Sequence, residues 1–286
     1  MQYERPETLK DAVGLLAGNK GKAFVLAGGS DLLVRMRGEF IEPDLVVDIK
    51  SVKGLDKVTK TAKGFSIGAS VPCAALGENK TLVKAWPGVV EAANLIGSKQ
   101  IQGRCTISGN LCNASPAADS VPALVAANAK AVIAGPGGKR RLAVEKVVTA
   151  PGKTALKKGE LIEAIELPKQ ASRSGDAYLR FIPRTEMDIA VASAGVNLTL
   201  DAKGIVKSAR VALGAVAPTV VLVKDAAKAI IGTKLEDAAL DKMAEACAKA
   251  CNPIDDKRGT IDFRKKVSGV LAQRAAKIAY TRAGGK

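Results

Sequence analysis

Two glycine-bearing segments are the parts of this chain best suited to hold a ligand. The first, Ala27-Gly28-Gly29-Ser30-Asp31, follows directly on the apolar run Ala23–Ala27. The second runs from Thr106 to Asp119 (TISGNLCNASPAAD) and carries a single charge. Glycine lets the backbone approach a ligand closely, and successive free N–H groups form a concave anion site. Ser30, Ser108, Asn110, Asn113 and Ser115 add short hydrogen-bonding side chains. Taken alone, the first segment reads more readily as a tight turn. The second suits a loop wrapped on a ligand better than an exposed connection. A diphosphate cradled by its neutral donors would need no histidine, metal or lysine. Neither segment fits a common nucleotide fingerprint: GxGxxG is absent, and Gly152-Lys153-Thr154 has Val147 where a Walker loop needs its first glycine.

Composition excludes much other chemistry. The 286 residues include no histidine, which removes Ser-His-Asp triads, Cys-His proteases, HExxH zinc sites and imidazole bases. The five cysteines, Cys73, Cys105, Cys112, Cys247 and Cys251, form no CxxC pair and are odd in number, against a disulfide scaffold or a zinc site. Cys247 and Cys251 share one face of an Ala-rich helical pattern and read as small buried hydrophobes. The net charge is +16, but the basic residues are spread along the chain and aromatics are only 3%, too few for nucleic-acid stacking platforms. A solvated basic surface facing an acidic partner, and no nucleic acid, is the expectation. The longest apolar run, Val211–Val223, contains Pro218 and is too short for a membrane span. Met1–Pro6 has no apolar core of the signal-peptide kind, so the expected location is cytoplasmic.

The elements that must position the two segments follow from periodicity. Thr8 caps a helix with Leu9, Ala12, Val13 and Leu16 on one face, closed by Gly18-Asn19. Ala23–Ala27, Leu45–Ile49 and Gly64–Ala69 read as strands, Pro87–Gly97 and Asp119–Asn128 as helices, and Leu161–Leu167 as a strand stopped by Pro168. The polar stretch Gln170–Asp176 marks a domain boundary. Beyond it, Ile189–Leu200 and Ile205–Ala217 form an antiparallel hairpin around Asp201–Gly204. Helices follow near Val223–Ile231, Leu235–Ala250 and Thr260–Arg282. The fold class is α+β, with an N-terminal domain over 1–170 (subdomains about 1–54 and 55–170) and a smaller antiparallel sheet with helices over 177–286.

In order along the whole chain, these segments resemble the FAD-binding (medium) subunit of the molybdenum hydroxylases, the xanthine dehydrogenase and carbon-monoxide dehydrogenase type. The resemblance rests on Tyr3-Glu4-Arg5-Pro6 through Leu16, the two glycine segments, Lys99-Gln100-Ile101-Gln102-Gly103, and Gly159-Glu160-Leu161-Ile162 with Leu167-Pro168. It continues through Arg184–Ala190, Ala209–Thr219, Phe263–Val267 and Val270–Ala275. Each is weak alone, and together they are specific.

The resemblance implies a vanillyl-alcohol-oxidase-type (PCMH) FAD-binding domain. It implies that Val25, Leu26, Ala27, Gly28, Gly29, Ser30, Asp31 and Leu32 wrap the FAD diphosphate and ribityl chain. Thr106, Gly109, Asn110, Asn113 and Asp119 would hold the diphosphate, ribose and adenosine from the other side. Ile96 would lie against the flavin ring, and Leu161 and Ile162 would line the adenine or ring pocket. Arg180 would stand near the cofactor as a cation favouring reduced flavin, so that its removal changes potential and leaves the fold intact. Ser108 departs from the usual second glycine, and Ile96 lacks an aromatic stacking surface. One branch of the family carries an iron–sulfur cluster on an inserted loop of this subunit; no such cysteine-rich insertion is present. The implied function is electron transfer from the [2Fe–2S] clusters of a small partner subunit through FAD to an external acceptor. Substrate would be oxidised at molybdopterin on a large partner subunit. The alternatives are a free-standing FAD oxidoreductase acting on its own small substrate, and a basic binding module.

Overall fold

The computed structural model describes residues 1–285. The chain opens with β1 (Gln2–Glu4), α1 (Leu9–Gly18), β2 (Ala23–Leu26), α2 (Leu32–Arg37) and β3 (Leu45–Asp48). The three strands form a parallel sheet in the order β1-β3-β2. α1 starts where expected: the Thr8 hydroxyl accepts the Asp11 N–H at 3.1 Å, which satisfies one of the donors a helix start leaves free. Ala12 and Leu16 are its buried face. The chain leaves β2 straight into the first glycine segment, so that segment sits at the carboxyl end of a parallel strand.

Next come β4 (Val58–Thr61), β5 (Gly64–Gly68), and the helices α3 (Cys73–Glu78), α4 (Lys80–Ala85), α5 (Pro87–Ala93), α6 (Lys99–Gln102), α7 (Ile107–Cys112) and α8 (Ser120–Ala126). They are followed by β6 (Lys130–Gly135), β7 (Gly138–Ala143), β8 (Val148–Ala150), β9 (Lys153–Thr154) and β10 (Leu161–Pro168). β4-β5-β10-β6-β7 is an antiparallel five-stranded sheet. The second glycine segment is not a continuous loop. Its first half is α7, because Thr106 acts as N-cap and accepts the Gly109 N–H at 2.9 Å. The low helix propensity of Ser108, Gly109 and Asn110 hides this turn from the sequence; a cap and burial of Ile107 and Leu111 override it.

The last part holds β11 (Ser174–Phe181), β12 (Ala192–Leu200), β13 (Val206–Gly214), β14 (Val221–Leu222), α9 (Lys224–Ile230), α10 (Asp237–Ala250) and α11 (Ile261–Arg282). The strands form an antiparallel sheet in sequence order, with the hairpin at Asp201–Gly204 as expected. β11 begins inside the polar stretch read as a boundary. α9–α11 supply nearly half of the second apolar core, and Cys247 and Cys251 are buried in it. Helix α8, buried along its whole length, lies against both β12 and the first core. Gly195 of β12 permits this approach, since a Cβ there would lie 2.6 Å from the Pro122 carbonyl oxygen.

A buried carboxylate fastens the last sheet to the earlier helices. Asp176 on β11 accepts the Val89 N–H at the start of α5 at 3.1 Å, and its other oxygen has no partner. Arg282 pairs with Glu91 on the same helix and donates to the Asp176 carbonyl at 2.8 Å. Burial pushes the Asp176 carboxyl up to about 7, against the Val89 N–H, which favours the charged form. A raised folded-state pKa contributes stability that is present below the ordinary carboxylate range and lost as pH rises through about 7. Wild type should therefore lose on the order of 1–3 kcal/mol relative to Asp176→Asn as pH rises from about 5 to about 8. Urea denaturation of both proteins across that range reads it; parallel pH profiles would contradict it.

Candidate cofactor-binding site

The two glycine segments face each other across a groove of about 540 Å³, within the roughly 300–1,000 Å³ of small-molecule and cofactor sites. They approach closely enough to need glycine. A Cβ at Gly28 would overlap the Arg104 carbonyl oxygen and lie 2.7 Å from the Cys105 Cα. Gly29 adopts φ +79°, the left-handed turn that carries the chain from β2 into α2. As a result the N–H groups of Gly28, Gly29, Ser30 and Asp31 donate to no acceptor among the described residues. Four consecutive unsatisfied donors at a groove wall suit a phosphate-bearing ligand.

Side chains on the opposite wall brace the two segments. Asn113 Nδ2 donates to Asp31 Oδ1 at 3.0 Å, bridging the groove's two sides. Burial raises the Asp31 carboxyl above its ordinary range. Asn110 Oδ1 accepts from both the Ser120 N–H (3.1 Å) and hydroxyl (2.7 Å), tying α7 to α8. Its amide nitrogen is then left for the groove, which Asn110 lines. The Ser108 hydroxyl is buried without a partner and its residue lines the same groove. An orphaned buried hydroxyl beside free N–H groups is the pattern expected where a polar ligand completes the hydrogen bonding.

Of the residues named from sequence, Val25, Ala27–Leu32, Ile96, Thr106, Gly109, Asn110, Asn113, Leu161 and Ile162 all line the groove. Leu26 is buried and does not line it. Asp119 and Arg180 are also not among the lining residues; they bind each other. Arg180 Nη1 donates to Asp119 Oδ2 at 2.6 Å with both side chains nearly sealed from solvent, and the Tyr178 hydroxyl donates to Asp119 Oδ1 at 3.1 Å. Burial raises the Asp119 carboxyl, opposed by the Arg180 charge. Sequence reading missed a third wall, Thr154 and Leu156–Glu160, and the cations Lys20, Arg35, Lys157 and Lys158 around the groove. The signal available for it was the charged turn Lys157-Lys158-Gly159-Glu160 just before an apolar strand; Gly159 has φ +79°.

The site is built for binding rather than proton transfer. Its two carboxylates are engaged: Asp31 accepts from Asn113, and Glu160 accepts from Arg140 Nε and Nη2 at 2.8 Å each and from the Lys157 N–H at 2.7 Å. Hydrogen bonding to Arg140 holds the Glu160 carboxyl below its ordinary range. Among the described residues no Cys, Asp and Glu cluster is placed to hold a metal ion, and no helix is long and apolar enough to cross a membrane.

Comparison with known proteins covers nearly the whole chain. Residues 1–170 match the family described as FAD binding domain in molybdopterin dehydrogenase, and residues 177–279 match the CO dehydrogenase flavoprotein C-terminal domain. The carbon monoxide dehydrogenase medium chain of Afipia carboxidovorans is 32% identical over 281 residues, covering 98% of this chain and 97% of that one. The xanthine dehydrogenase FAD-binding subunit of Escherichia coli O157:H7 is 29% identical over 286 residues, covering 99% and 97%. A solved structure of reconstituted CO dehydrogenase from Oligotropha carboxidovorans superposes with a TM-score of 0.94 at 32% identity, over 99% of this chain and 98% of that one. Fold, groove and full-length similarity converge: the chain belongs to the FAD-binding subunits of the molybdenum hydroxylases, the oxidoreductase family that includes CO and xanthine dehydrogenase.

Proposed function

We propose that this chain is the electron-delivery subunit of a molybdenum hydroxylase complex. It takes electrons from [2Fe–2S] clusters on a small partner subunit and hands them to an external acceptor. Oxidation of the organic substrate takes place at molybdopterin on a large partner subunit. FAD, when bound, supplies the redox chemistry; the protein supplies position and charge. The observation that carries this reading is the groove itself: free N–H donors, a cationic rim, and carboxylates already occupied by other side chains.

In this reading the Gly28–Asp31 N–H groups and the Asn110 amide donate to the diphosphate. Lys20, Arg35, Lys157 and Lys158 offset its charge, and Ile96, Leu161 and Ile162 give apolar contact. Asp119 and Arg180 act from behind, fixing the start of α8 on β11. The chain divides functionally into 1–170, which holds the cofactor, and 177–286, which braces it. We place the complex in the cytoplasm.

Co-expression with the neighbouring genes tests the assignment. The isolated chain should be yellow, accept electrons from a reduced iron–sulfur protein, and turn over no aldehyde, purine or aromatic acyl thioester. Substrate-dependent dye reduction by the isolated chain would make it a free-standing oxidoreductase instead. Within the groove, Asn110→Asp keeps an acceptor for Ser120 but places a carboxylate oxygen where the amide faced the ligand. FAD binding should weaken by about 1–3 kcal/mol. Flavin fluorescence titration measures this, and unchanged affinity would refute the contact.

A further inference from the structure

The chain leaving the first glycine segment holds an apolar strip in the open. Helix α2 is six residues long and buries none of them; only Leu32 and Met36 are half-buried. Leu33 is 45% exposed, Val34 64% and Phe40, just past the helix, 78%. The Phe40 ring is fixed there. Its N–H donates to the Arg35 carbonyl at 3.0 Å, and the Gly38 N–H donates to the Val34 carbonyl at 2.9 Å. Gly38 leaves room for the ring to fold back on the helix end, since a Cβ at 38 would lie 2.7 Å from Phe40 Cε2 and 3.3 Å from the Val34 carbonyl oxygen. Isolated helices shorter than about 12–15 residues are marginal in water, so α2 needs contacts that this chain supplies only in part. A single exposed leucine is ordinary, but an ordered apolar strip marks an interaction surface.

We propose that the strip Leu33, Val34 and Phe40 is the surface on which the [2Fe–2S] subunit docks, through an apolar patch rimmed by carboxylates. The proposal rests on the electron-delivery reading and adds to it the place of contact.

Continuity with the groove selects this partner. Asp31, Leu32 and Arg35 line the groove, and a Cβ at Gly29 would lie 3.1 Å from Leu33 Cδ1. A protein seated on the strip therefore reaches the lip of the cofactor site, which is where an electron donor has to stand. Charge selects its chemistry. Arg37 on the strip is exposed, as is Arg104, whose Nε donates to the Gly28 carbonyl at 3.5 Å. Among the described residues neither forms an ion pair. The carboxylates of this stretch, Glu39 and Glu42, stand beside Phe40 in the chain, so the end toward the groove is the cationic one. An apolar centre with phenylalanine and arginine inside a polar rim is the anatomy of a protein interface, and the arginines would steer an acidic partner onto it. The exposed pair Phe181 and Phe263 lacks this placement: the two rings shield each other edge to face at 5.7 Å, and neither residue lines the groove.

The test titrates the FAD-loaded chain with the co-expressed [2Fe–2S] subunit and follows binding, and in parallel follows flavin reduction by the reduced subunit. Phe40→Glu should weaken binding by about 30-fold, the ~2 kcal/mol that marks an interface hot spot. Arg37→Glu should weaken it too, most at low salt, whereas Lys242→Glu, the same charge change on exposed α10, should leave it unchanged. Phe40 and Arg37 do not line the groove, so FAD content should match wild type in both variants and certify that they fold. Equal binding by wild type and both strip variants overturns the surface. So does loss of the large subunit with the small one retained, a wild-type dimer that Phe40→Glu dissolves, or binding to anionic vesicles that it abolishes. Wild type that binds no [2Fe–2S] subunit overturns the electron-delivery reading and this surface with it, and that failure is visible before any variant is made.

Discussion

Gly28→Ala should weaken FAD binding by roughly 5- to 150-fold, whereas Gly14→Ala should leave it unchanged. The new methyl at position 28 meets main-chain atoms, the Arg104 carbonyl and the Cys105 Cα, neither of which can swing aside as a side chain would. Overpacking of this kind costs about 1–3 kcal/mol, and each 1.4 kcal/mol is about a factor of ten in affinity. If the two segments separate to relieve the clash, the groove widens and the N–H groups of Gly28–Asp31 leave their common focus. If they stay, the strain lowers the stability of the whole chain. Thermal melts of the FAD-free protein divide the cost between the two outcomes. Gly14 is the control because nothing lies within 4 Å of its added methyl and it sits inside α1, where alanine is favoured over glycine. Wild-type affinity in Gly28→Ala would mean that the close approach of the two segments does not shape the site.

The same close approach explains how far the site was legible in the sequence. The run Ala23–Ala27 followed by Gly28-Gly29 announces a strand ending in a tight turn, because both signals are local. That Gly28 rests on residues 104 and 105, 76 positions away for the Arg104 contact, leaves no local trace. The α7 turn was hidden for a different reason. Its residues favour loops, and only the Thr106 cap and the burial of Ile107 and Leu111 select the helix. The β6–β7 hairpin, by contrast, was legible but passed over. Ala131–Ala134 is an apolar run ending at Pro136-Gly137, and Gly135 pairs with Gly138 across a two-residue turn. The cationic rim escaped because lysines at a turn ordinarily belong to solvent. Lys157 and Lys158 share the groove with Lys20 and Arg35 only once the chain is folded and β10 is paired with β6.

Arg180 is engaged by Asp119, and its removal should be costly to stability. The resemblance implies a cation near flavin that is dispensable for folding. The structure instead commits Arg180 to Asp119, 61 residues earlier, in a pair whose side chains are only 5% and 11% exposed. Arg180→Ala leaves that carboxylate buried with only the Tyr178 hydroxyl as partner. Breaking one side of a buried pair typically costs about 3–5 kcal/mol, since the remaining charge is neither solvated nor neutralised. Proton uptake is the available relief, and burial already raises the Asp119 carboxyl. With the opposing Arg180 charge gone it rises further, so the variant's deficit should shrink as pH falls. The double variant Arg180→Ala with Asp119→Asn should recover much of the loss at neutral pH, because no uncompensated charge remains. The flavin potential should respond weakly, since the guanidinium charge is already balanced by Asp119. Denaturant titrations of the single and double variants at two pH values, with potentiometry on the FAD-loaded single variant, decide the point. A stable Arg180→Ala with a displaced potential would return Arg180 to the cofactor and deny the pair its structural role.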